Sequence, residues 1–554
     1  FKADKPFSKC RVLLDLGHIL QPNWGHKLIG NQYLLVNDST VEGTVKTQGW
    51  AHFHSMSYRI TFSEPIETVY QYIGGKLRKD SLFLRLNTAE DLKFHYKFSE
   101  KAQPLYVKVA LSVVDPEGAE KNLEAELPGW DFDKTREEST HIWNEALNLI
   151  QIEADPKVMV NFYTAQYHTK LTPNLMSDVN GEYRRHDQRI ARMPQGGAYY
   201  STFSLWDTFR AWNPLQTLVD TTLVNDMIRS MPDMYDITGE LPIWPLASGE
   251  TGTMIGYHAA SVIADAYLKG IRGYDAEKAL DAMIRSSNIN KKGSDYYVVQ
   301  GFIPSNIKRE SVSCTLEYAY DDWAISRMAG AMGRDDVARE YAQRALNYAN
   351  VFDGSTCFFR GRGTDGNWSE PFEEFATGRD YTEATPWHYR FFVPHDVNGL
   401  AGLFGSREAF VRELDRLFTL ESDEMQLDVS DVTGLMGQYA HGNEPSHHMA
   451  YLYNYVGQPW RTQELTRSLL HGMYAPTPAG IIGNEDCGQM SAWYIFSSLG
   501  FYPVCPGSNQ FALTAPQFPK AVVRLANGRT LTVTANNQNE LQSYFIHRME
   551  SILK

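Results

Sequence analysis

Two short phrases with carboxylate and amide side chains recur forty-one residues apart in the C-terminal half of the chain. They are Gly442-Asn-Glu-Pro445 and Gly483-Asn-Glu-Asp486, and each precedes an aromatic-rich segment of helical length. A Gly-polar-acid phrase just before an apolar run is typical of a loop that ends at a helix N-terminus. Two such loops can converge on one pocket and present carboxylates and amides to it. We therefore predict a polar active site, with a sugar as its substrate.

Acidic residues also lie beside tryptophan in other loops of this region, in Ser204-Leu-Trp-Asp-Thr-Phe-Arg210 and Tyr381-Thr-Glu-Ala-Thr-Pro-Trp-His-Tyr389. A glycosidase needs one protonated carboxyl for the leaving oxygen and one ionised carboxylate that activates water or attacks. Burial beside tryptophan raises the pKa of a carboxyl, which suits the proton donor. Glu383, four residues before Trp387, is the candidate donor.

Several of these acids also have structural interpretations. Asp207 can cap a helix beside a packed Trp206. Glu250 and Glu317 can be partners in buried salt bridges.

Two other motif matches are weak. Glu444-x-x-His447 has the spacing of di-iron ligands, but that site needs the motif twice and only one copy is clear. Gly361-x-Gly-x-x-Gly366 matches a dinucleotide fingerprint, but it precedes Asn367-Trp368 and so predicts a loop.

Composition limits the class of protein. The net charge of −14 argues against nucleic-acid binding, which needs a basic surface. Aromatic residues make up 13% of the chain, which suits either core packing or platforms for sugar rings. No apolar run of about 18 residues occurs, so we predict no membrane span. Cys487 and Cys505 can pair in an oxidising compartment, but the scattered cysteines favour free thiols.

The chain opens on β-strand-like runs, continues with about a dozen helical segments and ends on strands. This pattern predicts an N-terminal β-sandwich, an (α/α)6 barrel and short C-terminal strands. No signal peptide is visible, and because the chain begins at Phe1 without Met, we expect an N-terminal piece to be missing. The predicted domains are an incomplete β-sandwich at 1–121, a linker helix region at 122–154, the barrel at 155–502 and a truncated β segment at 503–554.

Several long motifs in this sequence resemble glycoside hydrolase family 92. They are Pro128–Asp133, Tyr200–Arg210, Thr251–His258, Gly442–His448 and Gly483–Tyr494. The resemblance implies a calcium-dependent, inverting exo-α-mannosidase, with a β-sandwich packed on an (α/α)6 barrel and the site between them. It implies a mannose-containing oligosaccharide or glycoprotein glycan as substrate, with α-1,2 linkage expected, and a secreted or periplasmic bacterial enzyme.

The resemblance also assigns roles to residues. Glu383 is the general acid and Asp486 the base, while Asn484 stands where some relatives have an assisting acid. Calcium ligands are expected at Asn443 and Glu444. Substrate contacts are expected at Trp206, Asp207, Trp387, His388, His441, Glu444, His447, Glu485 and Gln489.

Two alternatives remain open. A glycoside phosphorylase on the same scaffold would use phosphate in place of water and would need no base, a reading that Asp486 disfavours. The second alternative is a truncated, inactive sugar-binding homologue. It is suggested by the start of this chain, which follows the Gly-rich N-terminal segment expected from the resemblance. Inversion predicts carboxyl groups roughly 6.5–9.5 Å apart, with room for a water molecule between them.

Overall fold

The computed structural model describes residues 11–78, 84–99, 104–194, 196–289, 293–421 and 430–536. The chain forms two compact units, each built from separate stretches of sequence. The first comprises Phe1–Ala146, Asn174–Thr202 and Pro245–Gly252, and the second comprises Leu147–Pro173, Phe203–Trp244 and Thr253–Lys554. These units differ from the consecutive domains predicted from the sequence. The segments Asn174–Thr202 and Pro245–Gly252, which lie within the predicted barrel, belong to the first unit.

The first unit contains two antiparallel sheets, with strand orders β7-β2-β3-β4-β9 and β1-β8-β5-β6. Its strands are β1 Arg11–Asp15, β2 Lys27–Asn37, β3 Thr40–Gln48, β4 His54–Phe62, β5 Ile66–Ile73, β6 Lys76–Arg78, β7 Arg85–Thr88, β8 Leu92–Phe98 and β9 Val107–Ser112.

The core of this unit lies between the two sheets. In β8, Leu92, Phe94, Tyr96 and Phe98 are fully buried and alternate with half-buried polar residues. A strand with a two-residue period directs such residues to one face. Tyr33 of β2, in the other sheet, stacks on Phe94 with ring centroids 3.8 Å apart. The two sheets therefore form the β-sandwich that the sequence predicted.

The runs predicted as strands around Arg11, Gln32, Ser57 and Leu105 correspond to β1, β2, β4 and β9. The run beginning at Leu82 continues into β7, although Leu82 itself is outside the described residues. The prediction missed β3, β5, β6 and β8. These strands mix Thr, Glu, Gln and Lys with apolar residues, because one face of each sheet meets solvent.

Two helices and three short strand pairs also belong to this part of the chain. The predicted linker helix region, 122–154, contains α2, which ends at the first residue of the second unit, and the strand Ile150–Glu153, which was not predicted. The elements are α1 Pro116–Glu126 and α2 Phe132–Leu147, with Asn174–Leu175 paired to Tyr200–Ser201, Glu182–Arg184 to Ile190–Arg192, and Pro245–Leu246 to Gly249–Glu250.

The second unit is mainly helical. Its helices are α3 Pro156–His168, α4 Leu205–Thr208, α5 Trp212–Val219, α6 Thr221–Thr238, α7 Ala259–Leu268, α8 Ala276–Ser287, α9 Ser294–Gln300, α10 Ser311–Ala331, α11 Asp335–Arg344, α12 Pro386–Tyr389, α13 Val397–Leu403, α14 Arg407–Thr419, α15 Pro459–Gly472 and α16 Gln489–Leu499, with 3-10 helices at Asn347–Val351, Glu444–Ser446 and Met449–Val456.

Inner and outer helices alternate along the described part of this unit. The inner ring is α5, α7, α10, α12, the 3-10 helix Met449–Val456 and α16. The outer helices α6, α8, α11, α15 and α3 pack on α5, α7, α10, Met449–Val456 and α16, and Arg416 of α14 lies over the ring of Trp387 of α12. Tyr389 of α12 donates its hydroxyl to Glu317 of α10 at 2.8 Å. Tyr451 of the 3-10 helix Met449–Val456 hydrogen-bonds Ser497 of α16. Each of these contacts joins two members of the inner ring. This is the predicted (α/α)6 barrel.

Some predicted helices are divided in the structure. The segments around Trp206–Asn213 and Leu215–Arg229 become α4, α5 and α6, and α6 begins after Asp220, whose side chain accepts from the Leu223 N–H at 3.0 Å. Met449–Tyr455, predicted to be of helical length, is a 3-10 helix. A side-chain cap of this kind marks a new helix start, although the apolar residues of the sequence continue with helical periodicity across it.

The C-terminal strands belong to the helical unit. β10 Ile150–Glu153 pairs with β11 Lys520–Arg524, which pairs with β12 Thr530–Thr534, both antiparallel. None of the described helices is long and apolar enough to cross a lipid bilayer. The described cysteines Cys314, Cys357, Cys487 and Cys505 are free thiols, as the sequence predicted.

Candidate active site

The two repeated phrases touch each other at their first residues. Gly483 has a φ of +72°, and a Cβ atom built on it would lie 2.5 Å from the carbonyl oxygen of Gly442. A Cβ on Gly442 would collide with the hydroxyl of Thr433. Only glycine fits such a close approach of two backbones. Both phrases thus present their polar residues to the same region.

A cluster of three carboxyl groups lies beside this crossing. Oxygens of Asp207, Glu444 and Asp486 all fall within 4.8 Å of one another. Asp207 comes from α4, Glu444 from the 3-10 helix Glu444–Ser446, and Asp486 from the turn before α16. Asp207 does not cap its helix, since Ser204 is the N-cap residue and donates its hydroxyl to the Asp207 carboxylate.

Burial and mutual repulsion raise the pKa values in this cluster. The pKa of Asp207 is raised well above its usual range by burial and then by the charge of Asp486. Burial and the charges of Asp486 and Asp207 do the same to Glu444. Neither of its two buried oxygens has a hydrogen-bond partner of ordinary geometry among the described residues. The guanidinium of Arg210 opposes both shifts. Close carboxyls in a dry site must share protons or hold a cation.

Asp486 stands at the end of a strained turn. Asp486 and Cys487 have φ values of 49° and 56°, in the left-handed region that non-glycine residues rarely adopt. Burial raises the pKa of Asp486 to about 6, and the charges of Asp431 and Glu485 add to this effect. The carboxylate of Asp486 is therefore mainly ionised at neutral pH.

Glu383 is the fourth carboxyl of the site, and its pKa is raised as well. Burial, followed by the charge of Asp431, raises its pKa to about 7. The charge of Asp486 contributes in the same direction. Asn443 donates its Nδ2 to the Glu383 carbonyl at 3.0 Å and to Oε2 at 3.5 Å. Glu383 thus retains its proton in part at neutral pH, beside an ionised Asp486.

The amide of Asn443, predicted as a calcium ligand, is thus directed at Glu383. The structure places Asp207 and Asp486, rather than another amide, next to Glu444. Asn484 is exposed and donates its Nδ2 to Asp431 Oδ1 at 3.1 Å.

The predicted substrate contacts His441, His447 and Gln489 are buried and hydrogen-bonded to the protein. His441 contacts the hydroxyls of Tyr439 and Tyr474 at 2.9 Å each, and burial lowers its pKa to about 3. The side chain of Gln489 donates to His447 Nδ1 at 3.1 Å and accepts from two N–H groups at the start of α5. These neutral side chains hold the loop, α5 and α16 together.

Trp206, Trp387 and His388 also lie in the interior. Trp206 donates its Nε1 to Glu317 at 3.0 Å, and Trp387 packs edge-on to Phe358 with ring centroids 5.1 Å apart. His388 Nδ1 accepts from the Thr385 N–H at 3.0 Å in the capping box of α12. They fix the segment that carries Glu383 and the segment that carries Asp207.

Of the two acids given a structural interpretation, Glu317 is a buried salt-bridge partner, 2.6 Å from His258 Nε2. Glu250 is half-buried and accepts from the Gly252 N–H at 2.8 Å. Gly361–Gly366 forms a loop, as predicted.

Sequence reasoning missed two residues of the site. Asp431 acts on the pKa of both Glu383 and Asp486, but it lies in no recognisable motif. Arg210 ends a phrase that had been noted for its Trp and Asp, and its proximity to Glu444 depends on folding. No periodicity in the sequence indicates either contact.

The chain was compared with known proteins. Residues 118–551 match the family model described as the glycosyl hydrolase family 92 catalytic domain. A protein described as an uncharacterized secreted glycosidase of Arthroderma benhamiae is 26% identical over 488 residues, which cover 80% of this chain and 56% of the relative. The chain thus spans little more than half the length of that curated relative.

Solved structures give closer matches. A family GH92 α-mannosidase of Bacteroides thetaiotaomicron in complex with mannoimidazole is 35% identical, with a TM-score of 0.91, over 96% of this chain and 71% of that chain. A family GH92 inverting mannosidase of Bacteroides thetaiotaomicron VPI-5482 is 31% identical, with a TM-score of 0.85, over 96% of this chain and 73% of that chain.

Proposed function

This chain belongs to glycosyl hydrolase family 92, and we propose on that basis that it is an inverting, calcium-dependent exo-α-mannosidase acting on α-1,2 linkages. The similarity to an α-mannosidase with bound mannoimidazole and to an inverting mannosidase supports the sugar and the stereochemistry. Mannose-containing oligosaccharides or glycoprotein glycans are the proposed substrates.

One observation carries the proposal. Glu383, with a pKa of about 7, lies within reach of the charge of Asp486, with a pKa of about 6. An inverting glycosidase needs this pair, one carboxylic acid to protonate the leaving oxygen and one carboxylate to deprotonate water. We assign Glu383 as the acid and Asp486 as the base.

Calcium fits the chemistry of the carboxyl cluster. Its donors are oxygens, which calcium prefers, and the cluster has no imidazole or thiol that would favour zinc. The buried oxygens of Glu444, which lack a partner of ordinary geometry in the described part of the chain, suit a cation. Glu444 and Asp207 would hold the ion. Asn443, which was predicted as a ligand, could bind it only through Oδ1, because its Nδ2 donates to Glu383. When bound, calcium would supply positive charge for sugar hydroxyls and lower the pKa values of the neighbouring carboxyls.

The relative described as a secreted glycosidase supports a place of action outside the cytoplasm. We therefore propose that the protein acts on glycans in the periplasm or outside the cell.

The proposal is tested by digesting linkage-defined mannobioses with the chain in calcium and following the products by NMR. We expect free mannose, released first as the β-anomer and fastest from the α-1,2 isomer. Mannose 1-phosphate formed in phosphate buffer would indicate a phosphorylase instead. Binding of mannosides without any turnover would indicate an inactive sugar-binding homologue.

A further inference from the structure

The turn at residues 486–488, just before α16, has three consecutive residues in the left-handed backbone region. Asp486, Cys487 and Gly488 have φ values of 49°, 56° and 93°. Glycine adopts this region readily, whereas the other two residues are strained there unless their surroundings hold them. The position of Asp486, the proposed base, therefore depends on the contacts that fix this turn.

The side chain of Glu485, the residue before the turn, is bound by α3 and α16. Its Oε2 accepts from the Ser491 hydroxyl at 2.9 Å, and its Oε1 accepts from the Ser491 N–H at 3.3 Å. His168 Nδ1 lies 3.3 Å from the same Oε2. These three residues line a cavity, and none of the four carboxyl groups of the site is among the described residues that line it. Glu485, which was predicted as a substrate contact, is thus engaged by protein groups.

The contacts with α16 involve both the side chain and the backbone of Glu485. The Met490 N–H donates to the Glu485 carbonyl at 3.2 Å, and the Gln489 N–H donates to the Asp486 carbonyl at 3.1 Å. The first N–H groups of a helix have no partner within the helix, so outside acceptors fix the chain that leads into it. Glu485 therefore ties the turn to the first residues of α16.

The end of α3 closes the turn from another side. His168 is the last residue of α3, and its hydrogen bond with Glu485 raises the pKa of His168. A Cβ atom on Gly488 would lie 3.1 Å from the Cα of Thr169 and 2.6 Å from Cδ1 of Trp212. Trp212, in α5, donates its Nε1 to the Thr169 carbonyl at 2.9 Å. Three helices therefore meet around the turn.

The two adjacent acids have separate tasks as a result. Oxygens of Asp486 lie within 4.8 Å of oxygens of Asp207 and Glu444, whereas the Glu485 carboxylate contacts His168 and Ser491. Misplacing a reacting group by about 1 Å can lower a rate by about 10²-fold. An anchor one residue away from the base is therefore able to control the rate without touching the substrate.

We propose that Glu485 and His168 are positioning residues, which hold the turn so that Asp486 is aligned with the water molecule that it deprotonates. The catalytic part of this inference rests on the proposed function, whereas the anchoring of the turn does not. Two kinds of measurement therefore test it, one with substrate and one without.

Glu485→Ala removes the anchor and should lower kcat for mannobiose by about 10²-fold while KM changes by less than about twofold. Glu485→Gln should regain most of the lost rate, because its amide still accepts from Ser491 and can donate to His168. His168→Ala should show the same split between kcat and KM with a smaller loss, since Ser491 still binds Glu485. It also serves as the test variant where Glu485→Ala does not fold. Glu464→Ala, exposed on α15, is the control and should match the wild type.

Hydrogen–deuterium exchange of residues 484–492 measures the anchoring without substrate. Glu485→Ala should speed this exchange by about tenfold, the effect of losing one hydrogen bond, and Glu485→Gln should remain near the wild type. If the protein hydrolyses no mannoside, the proposed function fails and exchange alone decides. Unchanged exchange in Glu485→Ala would overturn the anchoring. A raised KM with unchanged kcat, as for a lost substrate contact, or equal losses in the Ala and Gln variants, would overturn the positioning role.

Discussion

Glu383 and Asp486 are both buried acids, yet their surroundings give them different protonation states at neutral pH. The charge of Asp431 acts on both, while Asn443 hydrogen-bonds Glu383. The resulting pKa values of about 7 and about 6 leave one group partly protonated and the other mainly ionised. The assignment of acid and base depends on this difference.

Glu383→Gln tests the role of the acid. Because the amide cannot donate a proton to the leaving sugar, turnover of a natural mannobiose should fall by about 10²–10⁴-fold. An aryl mannoside with a good leaving group should lose much less. Glu373→Gln, at an exposed position nearby, is the matched control. Equal rates for Glu383→Gln and wild type on mannobiose would remove Glu383 from this role.

The pH dependence of kcat/KM tests both residues. Activity should fall as the pH drops through about 6, where Asp486 gains a proton, and as it rises through about 7, where Glu383 loses one. Bound calcium would move both limbs to lower pH. An aryl mannoside should lack the alkaline limb, because its departure needs no proton. An alkaline limb of equal size for both substrates would contradict the assignment of Glu383.

At the scale of elements, α10 connects the segments that carry the acids. Glu317 of α10 accepts from Trp206 next to Asp207, from Tyr389 of α12 and from His258 at the N-cap of α7. Burial lowers the pKa of His258, but the carboxylates of Asp321 and Glu317 outweigh this and raise it to about 9. One buried ion pair therefore joins three helices beneath the site.

Glu317→Ala should lower the free energy of unfolding by about 3 kcal/mol, because it leaves His258 and two other donors without an acceptor in the interior. Urea denaturation followed by circular dichroism measures this. Glu340→Ala, exposed on α11, should change stability by less than about 0.5 kcal/mol. Similar values for the two variants would show that the pair contributes little.

The crossing of the two loops is tested by a pair of glycine variants. Gly457→Ala has a φ of +79° and no neighbouring atom within 4 Å, so it should cost only about 1 kcal/mol of backbone strain. Gly483→Ala has a similar φ of +72° and adds a collision with the Gly442 carbonyl. It should be clearly less stable than Gly457→Ala in thermal unfolding and should lose most mannosidase activity. Equal stability of the two variants would mean that the loops separate at no cost.

At the scale of the whole molecule, the carboxyl cluster makes stability depend on pH and on cations. Acids whose pKa is raised in the folded state stabilise it most at low pH, and this contribution is lost as the pH rises through the folded pKa. For Asp486 and Glu383 this loss begins near their usual pKa values of 3.8 and 4.5 and is complete above about 6 and about 7, and for Asp207 and Glu444 it extends to higher pH.

Calcium should offset this loss, since it binds the ionised cluster of the folded state. In differential scanning calorimetry we expect calcium to raise the Tm more at about pH 8 than at about pH 5, and chelation by EDTA to abolish both the increase and the activity. Glu444→Gln should remove most of the calcium effect. A Tm that is indifferent to calcium at both pH values would dismiss the metal.

The sequence by itself determined the fold class and the acids. Alternating apolar residues predicted several strands, the 3.6-residue periodicity predicted the helices, and long motifs led to the family. Local patterns such as these act over a few residues and survive in any arrangement of the elements. The same patterns did not predict β8 and placed the boundary between α5 and α6 at the wrong residue. A helix cap, and the burial of each face of a sheet, depend on the tertiary neighbours of those residues.

Only the tertiary structure decided which acids share a site. It placed Asp207 with Glu444 and Asp486, directed Asn443 to Glu383 and added Asp431, which no motif had indicated. It also separated Glu485 from its neighbour Asp486. The pKa values that assign acid and base arise from burial and from charges far apart in sequence. Such quantities exist only once the chain has folded and excluded water.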